Sequence, residues 1–490
     1  MTTFTGKEAE PETGQKLFLG QPRPLVHIFG IEMWERFSFY GMQGILLLYL
    51  FYSTEDGGLG IPAATAAGII GAYGGSVYLS TVLGAWLADR LLGSERVLFY
   101  SAILIMIGHI ILALVPGIPG VTAGLLAVAI GSGGLKANAT SVVGTLYSAS
   151  DTRRDAGFSI FYLGINLGAL AGPILTGLAQ VQLGFHYGFG LAAIGMAIGL
   201  TQYSFGRRSL PASARIVPNP LPSGRRGLMI LLGAVAVALV VLLTAIGVIT
   251  ADNLALIVIL LTVAATVSYF AVILSSSKIS RLERSRVCGF IPLFIASAAF
   301  WSLYQQQFTV VTLYADSQLN RSLFGWEMPV PWVQSINPVF IIILSGLFAA
   351  LWTKLGKRQP GTPTKFALGT MLMGIAFLAF LPFASGGEGS TPLIALVGIL
   401  LLFTVAELLL SPVGLSVATK LAPAVFTTQM VALFFLSVAL GSAMSGLLAR
   451  FYDSTNQSPY FGVLGAAAIL IGALLLAISP WVRRLMAGVS

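Results

Sequence analysis

Charge is scarce in this chain. Asp, Glu, Lys and Arg supply 9% of its 490 residues and apolar types 56%. A soluble globular protein carries about 25% charged residues, so a water-soluble domain of ordinary composition is excluded. Cysteine is almost missing: Cys288 alone rules out an intramolecular disulfide and a cysteine-built metal cluster, and reads as a small packed side chain. Three histidines, His27, His109 and His186, show no metal-ligand spacing. His109 lies in an apolar run and reads as a satisfied packing residue rather than a proton relay. Low-complexity tracts are lacking, although glycine is abundant at 56 residues, as membrane helices tolerate. Residues 1–20 lack the apolar core of a secretory signal and, with Lys7, Glu8, Glu10, Glu12 and Lys16, read as a short disordered cytoplasmic tail.

What remains is a succession of long apolar runs. A membrane helix needs about 20 mostly apolar residues. Such runs fall near 24–52, 62–90, 96–115, 119–147, 156–180 and 186–205, then 227–250 and 253–275, then 288–315, 332–354, 364–385, 392–419, 425–450 and 460–482. The expectation is an all-α integral membrane protein of about fourteen spans, grouped six, two and six. The units are a tail (1–23), a six-helix bundle (24–206), a basic Pro-rich linker (207–226), two additional helices (227–276) and a second six-helix bundle (277–490).

The net charge of +9 does not point to nucleic acid, because its carriers sit in short loops between runs. With the N-terminus in the cytoplasm, alternation puts Arg90, Arg96, Arg153, Arg154, the 207–226 and 278–286 clusters, Lys354, Lys357, Arg358, Lys365, Lys420, Arg483 and Arg484 inside. Arg321 is the clearest exception, while Glu55, Asp56, Asp252, Glu327, Glu388 and Asp453 fall outside. This positive-inside pattern predicts an even span number with both termini cytoplasmic.

A few charges lie where lipid should be. A charge at the bilayer centre costs about 2.5–3.5 kcal/mol on insertion scales, so it needs a cavity or a partner. Glu32, Glu35 and Arg36 share one face of the first span at i, i+3 and i+4. Lys136 lies in the glycine-rich GSGGLKANAT, and Glu407 in LLFTVAELLLSPVG, one turn before Ser411 and Pro412. Arg36 and Lys136 can pair two of the three carboxylates. Desolvation disfavours the charged form of the third, and one bound proton would make the cavity neutral. The charges are thus a physical case for proton coupling; the bland alternative is that they glue helices together.

The halves carry a faint repeat. GAWLADRLLGSER (84–96) resembles the cytoplasmic loop motif of the major facilitator superfamily, and LWTKLGKRQ (351–359) is a degenerate second copy. Two bundles around a midplane cavity are how that superfamily is built. Asp89 and Arg90 would pin neighbouring helix ends. More specifically, E-x-x-E-R before FSFYGM (32–42), GLKAN (134–138), FSIFYLGINLGALAGP (158–173), FW (300–301), QSINPVFIIIL (334–344) and ELLLSPVGLS (407–416) resemble the proton-dependent oligopeptide transporter family. The likeness runs from about residue 24 to 450.

The resemblance implies a proton-coupled symporter that imports di- and tripeptides by alternating access, working as a monomer, with a proton as coupling ion and no other cofactor. Glu32, Glu35 and Arg36 would handle the proton and pair with Lys136. Lys136 would face the peptide carboxylate and Glu407, with Ser411 beside it, the amino group. Tyr40, Tyr78, Asn166 and Asn337 would bind the peptide backbone, and Trp301 and Phe434 would line side-chain pockets. Two positions depart from the pattern: the family often has Arg where Gln43 stands and an acid where Gln305 stands. A Gln43–Gln305 hydrogen bond, or nothing, would replace an outer-gate ion pair. The departure opens an alternative within the family, a carrier of another small anion or zwitterion such as nitrate or a modified peptide. A membrane enzyme would want a metal site or an activated nucleophile, and none is legible. A channel usually needs a symmetric multi-subunit pore.

Overall fold

The computed structural model describes residues 17–148 and 151–488. The expected tail lies outside the described residues as far as residue 16. Its last part is ordered: Leu17–Phe18 pairs with Gln21–Pro22 across Leu19 and Gly20, both at positive φ, as a tight hairpin turn demands. Phe18 packs on Phe29, with ring centroids 5.9 Å apart.

The chain is a bundle of long helices. The first half holds α1 (Leu25–Phe51), α2 (Ala63–Leu87), α3 (Ser94–Leu114), α4 (Gly117–Gly144), α5 (Arg154–Leu183) and α6 (Phe185–Gly206). Two helices follow, α7 (Ser223–Ala245) and α8 (Leu254–Ser275). The second half holds α9 (Arg281–Tyr304) continued by α10 (Val310–Ser317), then α11 (Ile336–Leu355), α12 (Thr362–Leu378), α13 (Leu393–Leu421), α14 (Thr427–Leu448) and α15 (Ser458–Met486). Thirteen spans are long and apolar enough to cross a membrane, α9 and α10 counting together. With α1, which is 27 residues long but carries the three charges, the described residues contain fourteen membrane-length helices. The protein is an all-α, multi-pass membrane protein.

In the first half α1 packs on α5 and α6, and α3 on α4 and α6; in the second, α12 packs on α13 and α15, and α9 on α14 and α15. The halves meet chiefly where α2 lies on α14. Glycine makes that contact close. A Cβ on Gly71 would fall 2.5 Å from Gly446 Cα, and one on Gly75 would fall 3.0 Å from Ala439 O. Small residues are what let membrane helices approach to backbone contact. Further along, α2 and α14 diverge around a gap lined by Trp86, Asp89, Thr427 and Gln429. The pair is therefore closed at one end and open at the other, the open end being that of the basic loops.

The central helices differ from each other. α8 lies against both α2 and α14, with Ala255 and Val258 buried beside Ala72 and Ala443. α7 has no buried residue and presents apolar side chains all round, as a lipid-facing helix should.

Two expectations shift, and the linker gains a structure. The span expected near 288–315 begins at Arg281, where Ser280 and Glu283 form a capping box. The basic Pro-rich linker is tied down: Asn219 N donates to Asp89 O and Leu221 N to Arg90 O, while Arg207 and Arg215 both pair with the buried Glu95. His109 is fully buried in α3, but neither ring nitrogen has a partner among the described residues, so it packs without being satisfied.

Candidate functional site

The site lies between the halves. α1, α2, α4 and α5 supply one wall, and α9, α11, α13 and α14 the other. The enclosed space is about 280 Å³ and continues, between α5 and α11, into a larger opening past Phe158, Ser345 and Trp352. At the opposite end the halves are joined. Trp332 Nε1 donates to Ile174 O at 3.1 Å, Ser335 Oγ to Leu170 O at 2.9 Å, and Tyr52 OH to Asp316 Oδ1 at 2.6 Å.

The α1 charges form one compact group. Arg36 Nε and Nη2 donate to Glu32 Oε1 at 2.8 and 2.7 Å, and Arg36 Nε also lies 3.1 Å from Glu35 Oε2. All three side chains are buried. Glu35 Oε1 accepts a hydrogen bond from Ser132 Oγ of α4 at 2.6 Å. The expectation that Arg36 and Lys136 would take one carboxylate each differs from what is seen: Arg36 holds both. A guanidinium offers five donors in a planar fork, and the helical spacing brings both acids to it, whereas an ammonium is a single point charge. Lys136 instead lies over aromatic faces, with Nζ 4.9 Å from the Phe39 centroid and 5.5 Å from that of Tyr78. Cations are attracted to such faces, and among the described residues Lys136 forms no ion pair.

Glu407, in α13, is held by neutral donors. Its Oε2 accepts from Tyr304 OH at 2.8 Å and Asn337 Nδ2 at 3.2 Å. Asn337 Nδ2 also donates to Thr404 Oγ1 at 3.0 Å, one turn before Glu407. Lys136 and Glu407 thus line one cavity from opposite halves, each without an ionic partner among the described residues.

The other expected residues are distributed as follows. Tyr40, Gln43, Tyr78, Asn166, Trp301, Gln305, Asn337 and Ser411 line the cavity. Tyr40 stacks on Phe308, and Asn166 Nδ2 turns to Tyr162 O in its own helix. Glu35 lies behind Arg36 rather than on the cavity wall. Phe434 faces α13, where a Cβ on Gly414 would meet its ring; its neighbour Phe435 lines the cavity and stacks on Tyr78. Asp89 and Arg90 are remote from the cavity and anchor the linker. No hydrogen bond joins Gln43 to Gln305; both line the cavity, and Gln43 Oε1 has no partner among the described residues.

Sequence reasoning missed Tyr304, Thr404, Gln334 and Ser132. Helical periodicity could have found three of them: Tyr304 is three residues after Trp301, Gln334 three before Asn337, and Thr404 three before Glu407.

A model of the POT family matches residues 95–470. The chain belongs to the POT family. It is 42% identical over 478 residues to an uncharacterized transporter of Bacillus subtilis (strain 168), covering 97% of each chain. It is 39% identical to a di-/tripeptide transporter of Lactococcus lactis subsp. lactis, covering 97% of this chain and 98% of that one. Among solved structures, a peptide transporter POT in complex with sulfate is similar, with TM-score 0.92, 43% identity and coverage of 97% and 98%. A POT family transporter in complex with 5-aminolevulinic acid superposes with TM-score 0.90 at 37% identity, over 96% of this chain and 98% of that one. The all-α fold of two packed halves is therefore that of the POT transporters.

Proposed function

We propose that this protein imports di- and tripeptides together with protons, by alternating access. The observation that carries the reading is the placement of Lys136 and Glu407, opposite charges on opposite halves of one cavity. A short peptide is a zwitterion with fixed termini and variable side chains. Its carboxylate meets Lys136, its ammonium meets Glu407, and the aromatic walls tolerate what lies between. A nitrate-like substrate would leave Glu407 without a use.

The α1 cluster supplies the coupling. Glu32 Oε2 is buried without a hydrogen-bond partner among the described residues and is a place for a proton. Protonation there loosens one arm of Arg36, and the cavity gains positive charge to hold the peptide carboxylate. Loss of the proton restores the pairing and weakens that hold. Taking the basic loops as cytoplasmic puts both termini inside and makes the observed shape inward-open. One chain holds a whole cavity, which supports the monomer as the working unit.

The test is dialanine uptake into proteoliposomes, with and without an imposed inward proton gradient, for the native protein and Glu35→Gln. Accumulation that follows the gradient and is lost in the variant is expected. Equal uptake with and without the gradient would overturn the coupling, and absence of dialanine uptake by verified folded protein would overturn the substrate.

A further inference from the structure

A second cavity lies in the second half, at the end of the basic loops, and shares no lining residue with the first. It measures about 820 Å³ and is bounded by the end of α11, the turn 356–361, the start of α12, α13 and the end of α15. Its inner wall is apolar, with Leu408, Pro412 and Val417 of α13. Its charged residues are Lys365, Lys420 and Arg483, and among the described residues no Asp or Glu lines it.

The cations converge on the first turn of α12. The Arg483 guanidinium donates to Thr364 Oγ1 and lies 3.2–3.4 Å from where a Cβ on Gly361 would stand. Lys365 follows Thr364, and the charge that acts on it is another cation, Lys420. Lys365 Nζ donates to Gln359 Oε1 at 2.8 Å and lies 4.2 Å from the Trp352 centroid. Both partners are neutral, and among the described residues neither Lys365 nor Arg483 forms an ion pair. Basic residues that only set topology extend into water, whereas Lys365 is 8% exposed. The place is positive even without these side chains. α12 starts at Gly361, which has no side chain to cap it, so the N–H groups of the first turn present their positive end there. Cations at a helix N-terminus oppose the helix dipole and one another. An anion in the cavity relieves both conflicts.

We propose that this cavity binds a phosphate group. Its oxygens accept from the fork of Arg483 and from the N–H groups that open α12, while Lys365 and Lys420 supply ammonium charge beside them. The apolar α13 wall next to the charges suits a phosphate joined to an apolar body, as in an anionic phospholipid, and basic pockets between membrane helices take such headgroups. A free phosphate offers the same oxygens, and the test tells the two sources apart. The site does not depend on what the first cavity carries.

The test is thermal stabilisation of the purified, delipidated protein in detergent, titrated to give an affinity for each ligand. The ligands are phosphatidylglycerol, zwitterionic phosphatidylcholine, and inorganic phosphate against chloride of equal ionic strength. The proteins are the native chain, Lys365→Gln, Arg483→Gln and, as a control on an exposed basic segment, Lys278→Gln. Phosphatidylglycerol is expected to bind more tightly than phosphatidylcholine. Lys365→Gln and Arg483→Gln should each weaken it about fivefold, the worth of one cation at a membrane surface, and Lys278→Gln should not. Arg483 is exposed, so its substitution reads the site even where Lys365→Gln fails to fold. Tight binding of phosphatidylglycerol alone assigns the site to a lipid headgroup. Binding of inorganic phosphate that is weakened by the same two substitutions assigns it to a free phosphate compound. Neither anion exceeding its control, affinity unchanged in both cavity variants, or an equal loss in Lys278→Gln overturns the site.

Discussion

The two halves bury their acids in different ways. In the first half Glu32 and Glu35 are neutralised by one guanidinium, Arg36, within a single helix. In the second half Glu407 is solvated by a phenol and an amide from two other helix segments, Tyr304 and Asn337. Removing the partner from a buried ion pair leaves a bare charge, which costs about 3–5 kcal/mol. Removing one neutral donor costs a hydrogen bond to a charged group, about 1.5–3 kcal/mol. The first arrangement is close to all-or-none, suited to a site whose charge must switch. The second is adjustable, suited to a site that must recognise.

The comparison can be broken at its strongest point. Arg36→Leu should have the largest effect, lowering the melting temperature of the detergent-solubilised protein by several degrees and abolishing uptake, because two carboxylates lose their counter-charge together. Adding Glu32→Gln to that variant should recover part of the melting temperature. A single variant that melts like the native protein would show that the α1 acids do not depend on Arg36.

Tyr304→Phe comes next. It deletes one donor to Glu407 and keeps the ring. The KM for dialanine should rise about tenfold, while competition by an N-acetylated dipeptide, which has no ammonium for Glu407, should change much less. Equal effects on both ligands would mean that Tyr304 acts by packing. The smallest effect is expected for Ser132→Ala. Glu35 loses the hydroxyl at 2.6 Å but keeps Arg36, which shares the loss, so gradient-driven uptake should fall by less than about tenfold. A total loss there would make Ser132, and not the ion pair, the main support of Glu35.

Much of this was legible in the sequence, for physical reasons that also mark the boundary. Helices of membrane length announce themselves as apolar runs, and charges within them must face a cavity, so Glu32, Glu35, Arg36, Lys136 and Glu407 could be picked out. Periodicity could place Arg36 near both acids but could not divide it between them. Attraction of opposite charges points Lys136 to a carboxylate; its ring faces, Phe39 and Tyr78, come from two other helices and leave no local pattern. Phe434 and Phe435 are adjacent, and which one faces the cavity depends on the rotation of α14, set by its contacts with α13 and α2. Pro and Arg mark 207–226 as a basic linker but say nothing of its order, which depends on the buried Glu95, more than a hundred residues earlier.

At the end away from the basic loops, the halves are held together by helix backbones in contact at Gly71 and Gly446 and by uncharged or single-charge hydrogen bonds. Among the described residues no ion pair bridges the halves there. Dispersed salt weakens attraction between exposed opposite charges over a Debye length of about 8 Å at physiological strength, but it does not weaken a fit of shapes. The closed mouth of this carrier is therefore expected to hold as firmly in brine as in dilute medium, leaving the salinity on that side without leverage over how often it opens.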